Sequence, residues 1–327
     1  MTRKVKIVCF GGGSAVPKLI LESFKERFHD KVELIGITSM VDNGGSTGAL
    51  RKEFNVLPPG DIRRHMLALS EAEDWKKKIW EFRFAKNIEL SPGHYGHNFA
   101  NVFIAGLEYI LGDFEKVLEI CHEFLKIKIG KALPATLDKV QLIAELEDGS
   151  IVEGEDEIDV GTNHDRNLKI KRVFLKPENA KAYQKALEEV KSADFLIIGP
   201  GDLYSSLIPC FLANGWKEAM KRSVGKKIFI CPAMNKFGET QGFSIRDYVE
   251  EIEKYIGCPV DYVIFNTKSP SKERIERYGK KFLIEAPKVN EGLDEKKYIG
   301  RDLLLEEGEI EYDKEKFIKI IRGIIGL

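Results

Sequence analysis

The chain has 327 residues, of which 43% are hydrophobic and 31% charged, and its formal net charge is −1. Such a composition fills a globular core, and the length suits two domains or one large α/β unit carrying an insertion. A nearly neutral chain has no overall field to draw it onto nucleic acid or an anionic membrane. Neither is an expected partner, and any anionic ligand must be held by local geometry.

The opening stretch MTRKVKIVCFGGG contains an apolar run that ends in glycines, too short for a signal-peptide core. No run approaches the roughly 18 apolar residues of a membrane span. Cys9, Cys121, Cys210, Cys231 and Cys258 are scattered, odd in number and without C-x-x-C spacing. Cys9 and Cys231 fall in strand-like runs and read as buried free thiols, and the set implies a reducing cytoplasm.

KVKIVCFG (4–11) is predicted as a strand with glycines at its exit, and 15–28 as a helix with Pro17 in its first turn. VELIGITSM is a second strand, which completes a βαβ unit and implies a parallel sheet. VDNGGSTGALR (41–51) follows at once, with more glycines and polar groups than a turn needs. Pro58 and Pro59 stop what precedes them, and DIRRHMLALS reads as a short helix. Residues 74–85 and 97–127 are helical in pattern, the second span breaking near Gly112. From 131 to 177 the pattern alternates, with an EDGS turn between β-prone runs, and reads as a small β-rich insertion. A helix over 178–191 leads into a buried strand, a Gly-Pro-Gly turn and a helix in ADFLIIGPGDLYSS. KKIFICPAM, DYVIFNT and KFLIEA are further apolar runs, alternating with helices at 244–256 and 271–280, and FIKIIRGIIGL closes the chain. This order defines an α/β fold: a Rossmann-like, doubly wound, mostly parallel sheet. Its core is 1–130 with 178–327, and 131–177 is the insertion.

Ligands of such sheets bind beyond the carboxyl ends of the strands. Three glycine-rich turns leave strands here. They are Gly11, Gly12, Gly13 and Ser14; then Gly44, Gly45, Ser46 and Thr47; then Gly199, Pro200, Gly201, Asp202, Leu203, Tyr204 and Ser205. Bare N–H groups at helix starts hold phosphate without net positive charge. Neither common nucleotide motif is present: Val16 stands at the third glycine of G-x-G-x-x-G, and no G-x-x-x-x-G-K-[ST] occurs. One such turn alone reads as close helix–strand packing, whereas three in one sheet point to a nucleotide or phosphorylated ligand.

Asp42 and Asn43 are candidate Mg²⁺ ligands, with an Asx-turn as the equal alternative. Arg51 and Arg63 are candidate phosphate clamps, and Arg64 reads as a surface ion pair. His97, Asn98 and Asn101 suit a polar ligand contact or a helix cap, and the pair His94 and His97 lacks a third zinc ligand. His65 and His122 fall in helical patterns and read as structural or solvated. No Ser–His–acid or Cys–His set has recognisable spacing, so nucleophilic catalysis is not expected.

Seven segments resemble one family, in its order, over roughly residues 5–265. They are GGGS, ITSMVDNGGSTGALR, PPGDIRRHMLALS, GHNFANVFIAGLE, LPATLDKVQLIAELEDGS, IIGPGDLYSSLIP and FGETQGFSIRDYVE. The family is the gluconeogenesis-factor (YvcK-like) group of the 2-phospho-L-lactate transferase (CofD-like) superfamily. The resemblance implies a Rossmann-like core and a cytoplasmic protein tied to carbon metabolism and cell shape. That group binds UDP-sugars such as UDP-N-acetylglucosamine, with no established reaction. The transferase branch implies an alternative: a Mg²⁺-dependent enzyme moving a phospholactyl-type group from a GDP carrier to the deazaflavin Fo. The loops GGGS, DNGGSTG and GPGDLYSS are similar to those of the first group.

On this reading the glycine turns hold the diphosphate, and Arg51 and Arg63 neutralise it. Asp61, with Asp42 and Asn43, orients sugar hydroxyls or Mg²⁺. Asn98 and Asn101 read the sugar or base edge, His97, Asn235 and Glu239 belong to the substrate part, and Tyr278 is placed to stack on a base. The sequence departs from the family pattern at Asn43, where a second acid is usual, and at Asp202, where Ser is common. Lys236 and Phe237 replace Gln-Pro, and Glu311, Tyr312 and Asp313 replace a basic–His–Asp pattern. An acid at 202 repels a phosphate unless a cation intervenes. A homodimer is expected only from the general abundance of two-fold oligomers.

Overall fold

Seven parallel strands form the central sheet of the computed structural model, which describes residues 3–84, 89–91, 94–278 and 283–327. In chain order they are Val5–Phe10, Val32–Thr38, Gly130–Pro134, Phe195–Ile198, Lys226–Ile230, Tyr262–Asn266 and Tyr298–Arg301. Numbered in that order they lie side by side as 3-2-1-4-5-6-7, every pair parallel. Helices cover the sheet, so its inner strands are continuous apolar runs: Ile7, Val8, Cys9, Phe10 and Leu196, Ile197, Ile198 have no exposed surface. The strand order reverses between the first and fourth strands. A crevice therefore opens beyond Phe10 and Ile198, where the chain continues as GGGS and GPGD.

A separate antiparallel sheet has Gln141–Leu146 between Ile151–Glu153 and Ile170–Lys176. This is the expected β-rich insertion with one difference. Gly130–Pro134 pairs in parallel with Val32–Thr38 and is the edge of the central sheet, because its Ala132 and Leu133 are buried against the core. The run KFLIEA also differs. Leu283–Glu285 lies outside the central sheet, antiparallel to Asn235–Lys236, and the seventh place goes to Tyr298–Arg301, a half-buried edge strand without an apolar signature. The helix expected at 178–191 is confined to Gln184–Lys191. Before it, the Ala182 and Tyr183 N–H groups donate to the carbonyls of Asn214 and Ala135, which keeps that backbone extended.

The span 97–127 divides into Phe99–Leu111 and Phe114–Phe124, with Gly112 in the left-handed conformation between them. An additional helix, Gly45–Phe54, begins inside the second glycine-rich turn. Cys9, Cys121, Cys210 and Cys231 are buried and all five cysteines are free. Among the described residues no helix is long and apolar enough to cross a membrane.

Candidate functional site

A cleft of about 370 Å³ occupies the crevice. Gly12, Gly13, Ser14 and Lys18 after the first strand line it together with Pro200, Gly201, Asp202 and Ser206 after the fourth. Asp159 from the insertion, with Lys236, Glu311, Tyr312 and Lys314 from the C-terminal half, completes the wall. The Gly12 N–H donates to Ser206 Oγ at 3.1 Å, tying the first turn to the third. Gly12 has no room for a side chain: a Cβ there would lie 2.4 Å from Asp61 Oδ2 and 2.9 Å from Ser206 Oγ. Gly13, at φ 66°, has no atom within 4 Å of where its Cβ would be, so the space on that side of its Cα is open. Lys314 pairs with Glu22 at 2.7 Å, whereas Lys18 has no ion-pair partner among the described residues.

The far wall is built around Lys236, whose side chain is 8% exposed. Its ammonium contacts Asp159, lies 2.8 Å from Asp202 Oδ2 and lies 3.2 Å from Glu239 Oε1. The acid at 202 and the lysine at 236 thus neutralise one another. Glu239 is committed further. One carboxylate oxygen accepts from the N–H groups of Tyr204 (3.0 Å) and Ser205 (3.2 Å), and the other accepts from Ser205 Oγ at 2.9 Å. A buried carboxylate therefore covers the N–H groups of the turn beginning at Leu203. Tyr204 is buried as a packing residue, and burial raises its phenol pKa. Asp159 comes from the helix Glu155–Val160. Arg166 donates to the carbonyls of Asp159 and Gly161, both at 3.1 Å, and to that of Phe237, joining the end of this helix to the Lys236 segment.

Residues 42–48 do not line the cleft. Asp42 Oδ1 accepts from the Gly44 N–H at 3.1 Å, which is the Asx-turn alternative. Burial, then the charge on Asp61, raises the Asp42 pKa above the usual carboxylate range. Asn43 Oδ1 accepts from the Asp156 N–H at 2.9 Å and so anchors the insertion helix. Burial followed by the charges on Asp42 and Asp61 raises Glu155 well above its ordinary value. Ser46 Oγ is a hub: His97 Nδ1 and Asn101 Nδ2 are each 3.1 Å away and the Asn98 N–H donates at 3.4 Å. Asn98 caps the helix Phe99–Leu111 by accepting from the Asn101 N–H at 3.2 Å.

Arg51 donates to the carbonyls of Val41, Asp42 and Val140. Arg63 is buried, its Nε has no partner, and burial, followed by Arg64 and Arg83, lowers its pKa to about 10. Arg64 pairs with Asp61. Neither Arg51 nor Arg63 reaches the cleft lining. Asn235 is fully buried, donating to the Phe243 carbonyl and accepting from Tyr248 OH, both at 3.0 Å. The side chains of Tyr278 and His94 lie outside the described residues. Lys18, Asp159 and Lys314 are cleft residues that sequence reasoning missed. Only Lys18, one helical turn past GGGS, carried a signal.

Mg²⁺ is the metal the resemblance implies. Asp42 and Asn43 do not fit it as a pair, because the Asn43 oxygen is taken by Asp156 and an Asp42 oxygen by Gly44. Among the described residues, the acids whose oxygens gather within 4.8 Å are Asp159, Asp202 and Glu239, and Lys236 contacts all three.

Strand order, glycine turns and a crevice at the reversal point define a Rossmann-like α/β protein with its cleft at the switch point. The model of the family described as 2-phospho-L-lactate transferase CofD matches residues 7–301, and the chain belongs to that family. It is similar to the gluconeogenesis factor of Listeria innocua, 37% identical over 271 residues (83% of this chain, 80% of that one). It is likewise similar to the gluconeogenesis factor of Bacillus subtilis, 33% identical over 308 residues (94% and 92%). The crystal structure of protein BH3568 from Bacillus halodurans superposes with a TM-score of 0.85 at 34% identity, covering 98% of this chain and 99% of that one.

Proposed function

We propose that this protein binds a UDP-sugar in the switch-point cleft and works in the cytoplasm as a regulator of carbon metabolism and cell shape. The observation that carries the reading is the open space at Gly13, in a cleft also lined by Ser14 and Gly201, with Lys18, which has no ion-pair partner among the described residues, in the same lining. Main-chain N–H groups and one ammonium without an ion-pair partner among the described residues suit a pyrophosphate. Asp202 and Glu311, on the other side, accept hydrogen bonds from sugar hydroxyls. The volume falls within the range of roughly 300–1,000 Å³ for small-molecule sites.

A regulator is favoured over a phospholactyl transferase by what lines the cleft. Group transfer needs preorganised positive groups at the developing charge. Here Arg51 is spent on backbone carbonyls, Arg63 lies off the cleft lining, and Lys236 and Lys314 are already paired. Among the described residues no histidine or cysteine lines the cleft.

Calorimetry and thermal melting with UDP-N-acetylglucosamine, UDP-glucose and GDP test the reading. A UDP-sugar at one hundred times its dissociation constant is expected to stabilise the protein by about 2.7 kcal/mol and to be recovered intact. Lys18→Gln is expected to weaken it. Preference for GDP with product formed on a deazaflavin acceptor would establish the transferase instead, and no shift with any nucleotide would remove the proposal.

A further inference from the structure

Asp159, Asp202 and Glu239 reach one point from three segments: the insertion helix, the Gly-Pro-Gly turn and the loop after the strand Lys226–Ile230. Three carboxylate oxygens within 4.8 Å of one another match what a hard divalent cation requires. Their common neighbour is the Lys236 ammonium, which has three N–H donors, one for each carboxylate. The surroundings fix this arrangement. The Lys236 N–H donates to Thr240 Oγ1 at 3.0 Å, Glu239 is locked by Tyr204 and Ser205, and Arg166 holds the end of the helix bearing Asp159. Withdrawal of the ammonium leaves three acids without a counter-charge, most unfavourable at the buried Glu239 and less so at the partly exposed Asp159 and Asp202.

We propose that Lys236 is the built-in cation of this cleft: its ammonium takes the place of a divalent metal ion among Asp159, Asp202 and Glu239, and ligand binding there is independent of divalent metal. The acid at 202 and the lysine at 236 are then one device, since the buried ammonium is unfavourable without its acids. A single positive charge among three carboxylates leaves this wall net negative. It therefore suits hydroxyl donors, and the pyrophosphate belongs at the Gly12–Gly13 end.

Mn²⁺ titrations of the full chain, followed by calorimetry and electron paramagnetic resonance, test the lysine. Wild type is expected to show no saturable Mn²⁺ site dependent on Asp202. Lys236→Gln is expected to gain a site at least about ten-fold tighter, which Lys236→Gln/Asp202→Asn loses. A folded Lys236→Gln that gains nothing overturns the proposal, as does a wild-type site that Asp202→Asn alone abolishes. If Lys236→Gln does not fold, wild type and Asp202→Asn decide: no Asp202-dependent site supports the proposal. A second arm rests on the UDP-sugar reading. UDP-N-acetylglucosamine affinity in EDTA is expected to stay within about two-fold of that in Mg²⁺, and a ten-fold loss overturns the inference. Absence of binding in both buffers counts against the UDP-sugar reading and leaves the Mn²⁺ arm to decide the lysine.

Discussion

Gly12 and Gly13 are adjacent and oppositely constrained. A methyl on Gly12 meets Asp61 and Ser206 at distances real side chains do not adopt, so Gly12→Ala must displace both side chains and disturb the bond from the Gly12 N–H to Ser206 Oγ that ties the first turn to the third. At least a ten-fold loss of UDP-sugar affinity is expected, about 1.4 kcal/mol. Gly13→Ala has space and meets only the left-handed backbone, a stability loss of about 1 kcal/mol. Calorimetry and melting on the two variants separate these effects, and equal affinity for Gly12→Ala and wild type would contradict the geometry. Glu239 works at the same scale. Glu239→Ala strands the Tyr204 and Ser205 N–H groups in a buried site and removes charge-assisted bonds, so urea unfolding should show a loss of roughly 2–4 kcal/mol. A loss below about 1 kcal/mol would mean those groups find other partners.

The helix Glu155–Val160 is the element through which the insertion touches the cleft. Its first turn is held by Asn43 and its last residues by Arg166, so Asn43→Ala should weaken ligand binding although Asn43 itself is off the cleft lining. The capping-type bond lost is worth about 1 kcal/mol, measurable by melting. Glu155 gives the element a pH signature. Its folded pKa is raised, so between the ordinary value near 4.5 and the folded value the folded chain holds a proton that the unfolded chain has released. The charged form therefore destabilises the fold most above the folded pKa, and acidification relieves it. Glu155→Gln should melt higher than wild type at pH 8, and the difference should shrink toward pH 4.5; a constant difference would deny the shift.

This element also marks where sequence reading stopped. The strands around Ile7, Ile197 and Phe229 were legible because strands buried on both faces are continuous apolar runs. The turns GGGS and GPGD were placed at the crevice because glycines after such strands have few other uses. Asp159 was not legible, since an acid in a short polar helix gains meaning only when the fold brings it beside Lys236. Tyr298–Arg301 was missed because a half-buried edge strand carries no apolar run, and GSTG is a poor helix opening that tertiary packing overrides.

At the scale of the whole molecule, His65 and His122 bring acid sensitivity. Burial lowers both from 6.5 to about 4, and His122 Nε2 accepts from the Ala132 N–H, a bond that protonation removes. Between those values the unfolded chain binds the protons and the folded chain does not, so stability falls as pH drops from 6.5 toward 4. The loss approaches about 3 kcal/mol per histidine. Urea midpoints from pH 7 to about pH 4 check this, best in Glu155→Gln, which lacks one of the opposing carboxylate effects and leaves those of Asp42 and Glu108; a flat profile there would contradict it.

The first strand of the chain is also an interior strand of the sheet. Val5–Phe10 can pair on one edge with Val32–Thr38 soon after synthesis, but its other edge waits for Phe195–Ile198. On the ribosome that apolar edge stays open while most of the chain is still being made, a template for pairing with the wrong neighbour. The geometry that puts the cleft between distant halves of the polypeptide thus delays completion of the cleft until the strand Phe195–Ile198 has been made.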